Sequence, residues 1–273
     1  MNIQTLQAEE FVLQKVPFYA PIDAEVEIFE AAWKEKVPVL IKGPTGCGKT
    51  RFVSYMAHKL QLPLITVSCH EDLSVSDLVG RFIIQHDQTI WADGPMTAAV
   101  RMGAILYLDE VVEARKDTLV AIHPLSDHRR SILIEKLGQL IEAPDNFLLV
   151  MSYNPGYQTM LKELKPSTRQ RFVSIEFSYP SPEKEMHILE KETGIAQNIA
   201  QKIVALAGKI RNLQSRGLEE GASTRLLIHA CRLIQAGLPV RTALQSTLVH
   251  SLTDDARMHH TLQDLVTDFF GPK

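Results

Sequence analysis

The spacing of hydrophobic positions changes along the chain, and the change predicts two kinds of architecture. Short apolar runs, rich in branched side chains, recur through the first two-thirds of the sequence. They occupy residues 37–41, 64–67, 104–108, 147–151 and 173–177. Runs of this kind are typical of strands that are buried on both faces of a parallel sheet. We therefore expect a mostly parallel, five-stranded sheet, one strand for each run.

Helical spacing of apolar residues fills the intervals between these runs. Ile28, Phe29 and Trp33 predict a first helix within the segment 1–36, and the apolar positions of residues 49–60 predict a second. Helices that alternate with strands are typical of an α/β architecture, because a connection between parallel strands must return the chain across the sheet. The first two-thirds of the chain is therefore predicted to be an α/β domain.

Strand patterns end at the proline-rich segment Tyr179-Pro180-Ser181-Pro182. Beyond it the apolar residues recur only at the spacing of helices. The segment therefore predicts a domain boundary. We expect an α/β core over residues 1–180 and a small all-helical domain over residues 181–273.

A glycine-rich segment lies between the first predicted strand and the following helix. It reads Gly43-Pro44-Thr45-Gly46-Cys47-Gly48-Lys49-Thr50. Glycines at Gly43 and Gly48 let the backbone curl so that its N–H groups point at phosphate oxygens. Lys49 adds a positive charge for the β- and γ-phosphates, and the Thr50 hydroxyl is a ligand for Mg²⁺. We expect the whole segment, together with Arg51, to bind ATP.

Two adjacent acids and an amide follow neighbouring predicted strands. Asp109 and Glu110 come after the third strand, and Asn154 comes after the fourth. Strand ends in an open α/β sheet face the ligand crevice, so Asp109 is expected to bind Mg²⁺ and Glu110 to act as general base on the attacking water. Asn154 can hydrogen-bond the γ-phosphate or that water. Alternatively, Asn154-Pro155 only starts a turn.

Three arginines add candidate positive charge to the site. Arg169 and Arg171 precede the fifth predicted strand, and Arg225 follows Ser223 at the start of a helix in the predicted helical domain. An arginine finger neutralises the charge of the transition state and is worth about 10³–10⁵ in rate. The same residues also suit a helix end or a solvated face, and Ser223 suits a helix cap. Both interpretations stay open for Arg169 and Arg171, while Arg225 can reach the nucleotide from the helical domain or simply lie beside the capped helix start.

In this order, these elements resemble those of the AAA+ ATPases, and more narrowly the MoxR branch and its CbbQ/NorQ/NirQ group. The resemblance covers nearly the whole chain. Its most specific stretches are residues 42–50, Leu108-Asp109-Glu110-Val111-Val112-Glu113-Ala114-Arg115, Ser152-Tyr153-Asn154-Pro155-Gly156-Tyr157 and Gly221-Ala222-Ser223-Thr224-Arg225. In the family these positions are the Walker A, Walker B, sensor 1 and sensor 2 motifs. The resemblance therefore implies an ATP-hydrolysing P-loop core with a helical lid.

The resemblance also orders the finger candidates, with Arg171 first and Arg169 second. Many relatives carry an acidic residue immediately before the arginine–phenylalanine pair, where this chain has Gln170. The family assembles as rings, usually hexamers, in which the finger of one subunit completes the nucleotide site of the next. A homo-hexamer is therefore expected, in which hydrolysis moves the lid against the core and remodels a protein partner.

Two further pairs of short strands are predicted as β-hairpins. Residues 81–85 and 89–91 flank the polar turn His86-Asp87-Gln88, and residues 131–135 and 139–142 flank Lys136-Leu137-Gly138. They resemble the helix-2 insert and the pre-sensor-1 hairpin of the family, which project towards the central pore of the ring. Alternatively, they are ordinary hairpins that only complete the fold.

Two biological roles are implied by the resemblance. CbbQ-like members act with CbbO, a partner that contains a von Willebrand factor A domain, to release inhibitory sugar phosphates from Rubisco. NorQ-like members act with the related NorD to activate nitric oxide reductase. The segments Ile122-His123-Pro124-Leu125 and Asp127-His128-Arg129-Arg130 favour the CbbQ side. Rubisco is therefore the expected client and a CbbO-like adaptor the expected partner, with nitric oxide reductase as the alternative client.

Composition and charge narrow the remaining classes of protein. Of 273 residues, 45% are hydrophobic, which is enough for a buried core. The formal net charge of −3 speaks against a main role in binding nucleic acid, because such proteins usually carry a basic excess. No apolar run reaches the ~20 residues of a membrane span, and no secretory signal is visible at the start. We expect a cytoplasmic protein that does not act at a membrane.

Cysteines and histidines give no sign of a metal site. Cys47, Cys69 and Cys231 are far apart and are expected to be reduced, semi-buried side chains. His123 and His128, like the neighbouring pair at 259–260, lack the spacing of a zinc site.

Three other classes of function account for part of the sequence. A small-molecule kinase uses a glycine loop but leaves Glu110, Asn154 and Arg171 unexplained, and it releases a phosphorylated product instead of free phosphate. A nucleic-acid motor or loader shows turnover that DNA or RNA stimulates and that salt weakens. A non-hydrolysing scaffold binds ATP without turnover.

Overall fold

The computed structural model describes residues 16–85, 87–157 and 164–271, and of Tyr157 it describes the backbone. The start of the predicted leading segment, and His86 of the predicted turn, lie outside the described residues. The chain forms two compact units. One comprises residues 16–43 and 49–176, and the other comprises residues 44–48 and 177–271. The predicted domain limit at residue 180 stays a prediction.

The described residues contain nine β-strands. In chain order they are β1 (Val39–Lys42), β2 (Leu64–Ser68), β3 (Gly80–Gln85), β4 (Gln88–Asp93), β5 (Ile105–Asp109), β6 (Ser131–Ile134), β7 (Gln139–Glu142), β8 (Leu148–Tyr153) and β9 (Val173–Glu176).

Five of these strands form one parallel sheet in the order β2-β5-β8-β1-β9, which confirms the predicted sheet. The central strands β5 and β8 are buried along almost their whole length, as continuous apolar runs require. β1 begins at Val39, two residues later than predicted. Pro38 has no N–H to donate to a neighbouring strand, and only its carbonyl oxygen is used, by the N–H of Val173 at 2.9 Å.

Eleven α-helices accompany the strands in the described residues. They are α1 (Glu25–Lys34), α2 (Lys49–Leu60), α3 (Val75–Val79), α4 (Pro95–Met102), α5 (Lys116–Ile122), α6 (Pro166–Arg169), α7 (Pro182–Thr193), α8 (Gln197–Arg211), α9 (Thr224–Gln235), α10 (Val240–Leu244) and α11 (Ala256–Phe270).

The glycine-rich segment connects β1 to α2, as its position in the sequence predicts. β1 ends at Lys42 and α2 begins at Lys49. One face of α2 is buried in the core, through Phe52, Val53 and Met56. This packing fixes the first turn of the helix at the carboxyl end of the parallel sheet, where ligands bind in open α/β folds.

Both predicted hairpins are present, since β3 pairs with β4 and β6 pairs with β7, each pair antiparallel. Gly80 begins the first hairpin with φ 133°, and a Cβ there would lie 2.5 Å from the Ala92 carbonyl oxygen. Only glycine fits this close approach. The first strand of the second hairpin ends at Ile134 and not at Glu135. The chain turns there through the short 3₁₀ helix Glu135–Leu137.

Helices α7 to α11 build the second unit around an apolar core that includes Leu189, Ile203 and Leu227. Glu185 on α7 is fully buried and accepts two hydrogen bonds from the Arg211 guanidinium, at 2.7 and 2.8 Å. Among the described residues beyond Glu176, the regular elements are all helical. The predicted helical C-terminal region is therefore confirmed.

Candidate active site

The Thr50 hydroxyl and the Asp109 carboxylate meet at the carboxyl end of the sheet. Thr50 lies in the first turn of α2 and Asp109 is the last residue of β5. The Thr50 hydroxyl donates to Asp109 Oδ2 at 3.1 Å. The two residues predicted to bind a metal are therefore brought together, although 59 positions separate them in the chain.

The spacing of these two oxygens fits a magnesium ion. Neighbouring ligands of an octahedral Mg²⁺ at 2.0–2.1 Å lie about 3 Å apart, close to the 3.1 Å between Thr50 Oγ1 and Asp109 Oδ2. Within the part of the chain that the structure describes, no group of three or more His, Cys, Asp and Glu side chains could hold a metal. Mg²⁺ does not require one, since it usually binds through one or two protein groups, water and phosphate oxygens.

Two hydroxyl groups that the sequence interpretation did not assign to the site surround the other oxygen of Asp109. The Tyr107 hydroxyl lies 2.8 Å from Asp109 Oδ1 and 3.0 Å from Ser152 Oγ, and Ser152 itself donates to Asp109 Oδ1. Tyr107 and Ser152 are fully buried. Burial first, and the Asp109 charge second, raise the pKa of Tyr107, so its hydroxyl keeps its proton.

Strand geometry explains how these groups meet. Side chains two apart on a strand share a face, which places Tyr107 and Asp109 together on β5. β5 and β8 are parallel neighbours with Leu108 opposite Met151, so Ser152 lies beside Asp109. The available sequence signal is a polar residue two positions before Asp109, and another two before Asn154, in strands that are otherwise apolar.

Glu110 has an unusual backbone conformation. Its φ of 54° and ψ of 47° lie in the left-handed region, which costs a non-glycine residue about 1–3 kcal/mol. Its N–H points at Asp109 Oδ1 at 3.2 Å and at Ser152 Oγ at 3.4 Å. The buried Val111 follows immediately, in a 3₁₀ turn. The backbone at Glu110 is therefore fixed from both sides, as is common at functional sites.

Lys49 is almost completely buried, with 6% of its surface exposed. Its ammonium donates to the Gly43 carbonyl oxygen at 2.8 Å, and the Gly43 N–H donates to the Tyr153 carbonyl oxygen at 3.3 Å. The start of the glycine segment is thus anchored to β8 on one side and to α2 on the other. Gly48 adopts φ 107°, which other residues rarely tolerate.

Residues 44–48 of the segment belong to the same compact unit as the C-terminal helices. A Cβ on Gly46 would lie 2.7 Å from both Cβ and Oγ of Ser223 and 3.2 Å from Cβ of Arg225. Ser223 caps α9 by accepting the N–H of Leu226 at 3.3 Å, so the predicted cap is confirmed. Arg225 has an exposed side chain at the start of that helix. Glycine at position 46 is therefore required by close packing, beyond its role in the turn.

Asn154 is buried just beyond β8, and its Oδ1 accepts the N–H of Gly156 at 2.9 Å. This bond belongs to a turn, which agrees with the alternative interpretation of Asn154-Pro155. It also fixes the orientation of the amide at the end of the strand next to Asp109.

The other predicted arginines lie on α2 and at or just beyond the end of α6. Arg51 on α2 donates to the Phe18 carbonyl oxygen at 3.5 Å. Arg169 ends α6 and is exposed. Arg171 is half-buried, and its Nη1 atom is buried without a hydrogen-bond partner among the described residues. After burial, the Arg171 charge is the next cause that lowers the pKa of His123.

Each of the two parts of the chain matches a known protein family. Residues 38–172 match the AAA domain of the dynein-related subfamily, and residues 185–269 match the CbbQ/NirQ/NorQ C-terminal domain. The glycine segment and Asp109, Glu110 and Asn154 lie in the first match. Arg225 lies in the second.

Relatives of similar length match almost end to end. NorQ of Paracoccus denitrificans is 53% identical over 93% of this chain and 94% of its own length, and NirQ of Pseudomonas aeruginosa is 55% identical over 92% and 96%. CbbQ of Hydrogenophilus thermoluteolus is 48% identical over 96% of this chain and 98% of its own length. These three relatives therefore share one architecture with the chain.

Solved structures support the fold. A RuvB mutant of Thermotoga maritima superposes with a TM-score of 0.57 at 17% identity, covering 96% of this chain and 76% of that one. None of the described helices is long and apolar enough to cross a bilayer. The paired domain matches, with relatives about half identical over most of the chain, show that this protein is a nucleotide-binding AAA+ ATPase of the MoxR type and belongs to the CbbQ/NirQ/NorQ group.

Proposed function

We propose that the protein hydrolyses Mg-ATP and uses the released free energy to remodel a protein client. The observation that carries the proposal is the cluster at the end of the sheet. Thr50 Oγ1 lies 3.1 Å from Asp109 Oδ2, beside the fixed backbone of Glu110. A binding protein without turnover has no need of a second acid at this position.

In the proposed reaction, the glycine segment binds the phosphates through its N–H groups and Lys49 contributes its ammonium. Thr50 and Asp109 would hold Mg²⁺, which would neutralise negative charge on the phosphates. Glu110 accepts a proton from the attacking water, and the Asn154 amide orients that water or the γ-phosphate. Arg225 supplies a further positive charge from the start of α9.

We infer that the active form is a ring, a homo-hexamer, in which Arg171 acts on the nucleotide of the next subunit. In support, the Arg171 side chain is only half-buried, as a cation that reaches another subunit requires. The exposed Arg169 is the second candidate. The proposed domains, a core over residues 1–180 and a lid over residues 181–273, move against each other during hydrolysis.

Exposed apolar side chains on the two hairpins support contact with a client. Phe82 and Ile84 on β3 are 47% and 82% exposed, and Leu133 on β6 and Leu140 on β7 are 55% and 60% exposed. Exposed apolar side chains of this size are typical of surfaces that bind protein. We propose that these hairpins face the client in the ring.

Two clients follow from the family. Rubisco, with a CbbO-like adaptor that contains a von Willebrand factor A domain, is supported by the segments 122–125 and 127–130. Nitric oxide reductase, with a related adaptor, is supported by the similarity to NorQ and NirQ, to which this chain is about as close as it is to CbbQ. In both cases the proposed partner is an adaptor protein of the same kind.

Reconstitution with each client separates these roles. The protein, ATP and the matching adaptor are added to sugar-phosphate-inhibited Rubisco, and in parallel to inactive nitric oxide reductase, with Lys49→Ala as the control that cannot use ATP. Recovery of carboxylation identifies the first client, and recovery of nitric oxide reduction identifies the second. If neither activity recovers while the protein still hydrolyses ATP, the result contradicts remodelling of either client.

Mixing of inactive variants tests the shared site. Arg171→Ala and Lys49→Ala are each expected to be inactive alone. If the finger acts in trans, subunits that mix at random restore about a quarter of the sites, because a ring places each finger at its neighbour. The matched control replaces Arg171→Ala with Arg169→Ala. Rescue with the control pair only would assign the finger to Arg169, and no rescue in either mixture would argue against a site shared between subunits.

A further inference from the structure

The two carboxylate oxygens of Asp109 have different surroundings. Oδ1 is contacted by the Ser152 hydroxyl, the Tyr107 hydroxyl and the N–H of Glu110. Oδ2 is contacted by the Thr50 hydroxyl. One oxygen is therefore engaged by the protein scaffold, while the other is turned towards the residue that shares the proposed metal.

The donors to Asp109 among the described residues are hydroxyls and a backbone N–H, all of them neutral. Neutral donors orient a carboxylate without cancelling its charge. An arginine or lysine in their place would compete with a divalent cation for the same oxygen. The arrangement thus keeps the full negative charge of Asp109 available and fixes the direction in which it points.

Ser152 joins the two acids. Its hydroxyl donates to Asp109 Oδ1 and its oxygen lies 3.4 Å from the N–H of Glu110. The same side chain therefore holds the carboxylate of one acid and the left-handed backbone of the other. Ser152 is fully buried, so water does not substitute for these bonds in the folded protein. Tyr107, also fully buried, contacts Ser152 and Asp109 from within β5.

We propose that Ser152, assisted by Tyr107, is a positioning residue that sets the affinity of the site for Mg²⁺ and holds Glu110 in place for hydrolysis. This inference rests on the proposed function, because it needs Asp109 to bind the metal. Removing a group that hydrogen-bonds a metal ligand without touching the metal typically lowers metal affinity by about 10–100-fold.

The test measures phosphate release at saturating ATP while the Mg²⁺ concentration is varied, and it measures binding of the fluorescent nucleotide mant-ATP in EDTA. Ser152→Ala should raise the Mg²⁺ concentration for half-maximal turnover by about 10-fold or more. The affinity for mant-ATP without metal should stay within twofold of the wild type, about the smallest change that such a titration resolves. Ser152→Thr keeps the hydroxyl and should restore the wild-type Mg²⁺ dependence.

Tyr107→Phe keeps the buried ring and removes only the hydroxyl. If Ser152→Ala does not fold, this variant still allows the Mg²⁺ dependence of phosphate release to be measured. It should shift the Mg²⁺ dependence in the same direction by a smaller factor. The matched control is Thr118→Val, which removes another buried hydroxyl of the same unit, bonded to the Leu73 carbonyl oxygen at 2.8 Å. Thr118→Val should lower thermal stability and leave the Mg²⁺ dependence unchanged.

The possible outcomes separate the inference from the proposed function. Wild-type protein without Mg²⁺-dependent turnover overturns the proposed function, and the inference with it. A wild type with normal turnover, beside Ser152→Ala and Tyr107→Phe variants with an unchanged Mg²⁺ dependence, overturns the inference alone. An equal shift in Thr118→Val would also overturn it, because general loss of stability would then explain the effect.

Discussion

Asp109 in the α/β unit and Glu185 in the helical unit are both carboxylates held by several donors, yet the donors differ in charge. Hydroxyls and a backbone N–H hold Asp109. Glu185 accepts two hydrogen bonds from the Arg211 guanidinium, at 2.7 and 2.8 Å, and one from the Thr224 hydroxyl at 2.6 Å. No charged donor contacts the first acid among the described residues, whereas the second forms an ion pair inside the protein.

The neutralised pair has a structural task. Arg211 also donates from Nε to the Ala222 carbonyl oxygen at 2.8 Å, and its guanidinium lies over the Tyr179 ring at 4.0 Å. The Thr224 hydroxyl bound to Glu185 belongs to the first residue of α9. Glu185 and Arg211 therefore hold the chain where it enters α9, immediately before Arg225. A buried ion pair of this kind fixes geometry, because removing one partner leaves an unpaired charge.

Glu110→Gln should give a large effect on activity, and it tests whether Glu110 acts as the general base. The amide cannot accept a proton from water, so phosphate release should fall by about 10²–10⁴-fold. ATP binding should stay intact, since the glycine segment and Lys49 are unchanged. Phosphate release and mant-ATP binding are measured on the same preparation. Unchanged phosphate release with intact binding would rule out Glu110 as the general base.

Glu185→Gln should lower the free energy of unfolding, whereas Asp109→Asn should not. The pair of variants therefore tests the difference between an acid held by a charged donor and one held by neutral donors. Loss of the Glu185 charge leaves the Arg211 guanidinium without its counter-charge, at a cost of about 3–5 kcal/mol. Asp109→Asn removes no ion partner among the described residues and relieves the charge of Asp109 beside Glu110. It should change the free energy of unfolding by less than about 1 kcal/mol, while Mg²⁺-dependent turnover is lost.

Both variants are compared by denaturant unfolding followed by circular dichroism. The matched control is Glu183→Gln, an exposed acid in the first turn of α7. Its interaction with the helix dipole is worth less than about 1 kcal/mol. If Glu185→Gln costs no more than Glu183→Gln, then the buried pair does not hold the helical unit together.

The sequence predicts the parts of the site that follow from local chemistry. Lys49 and Thr50 belong to a contiguous motif, and Asp109 follows an apolar run, so each is recognisable without knowledge of the fold. Tyr107 and Ser152 act only because β5 and β8 are neighbours in a given register. That register is set by tertiary packing, which no local pattern encodes.

The same distinction holds for the fold. All five strands of the sheet follow from their apolar runs, whereas the strand order depends on crossovers that the runs do not specify. The Glu185–Arg211 pair, 26 positions apart, depends on how α7 and α8 pack. Gly46 is recognisable as part of the loop, but its close approach to Ser223 requires the folded helical unit.

The smallest expected effect concerns two buried cysteines, one in each unit. Burial, followed by the charges of Asp109 and Glu110, raises the pKa of Cys69 to about 12. Burial raises the pKa of Cys231 to about 11, where no acid contributes. The ordinary thiol value is 9.0 in both cases. The charges of Asp109 and Glu110 therefore contribute to the pKa of Cys69 but not to that of Cys231, which a hydrogen bond with Thr193 lowers.

A raised pKa means that the native state holds the thiol proton more tightly than the unfolded chain does. The stabilising contribution is fully present below pH 9.0 and falls as the pH rises towards 11 for Cys231 and 12 for Cys69. Alkylation by iodoacetamide, followed for each cysteine by mass spectrometry, should therefore be slow at pH 8 and accelerate later for Cys69 than for Cys231. Asp109→Asn should move the Cys69 profile to lower pH and leave Cys231 unchanged. An unchanged Cys69 profile would show that the Asp109 charge does not contribute to the raised pKa of Cys69.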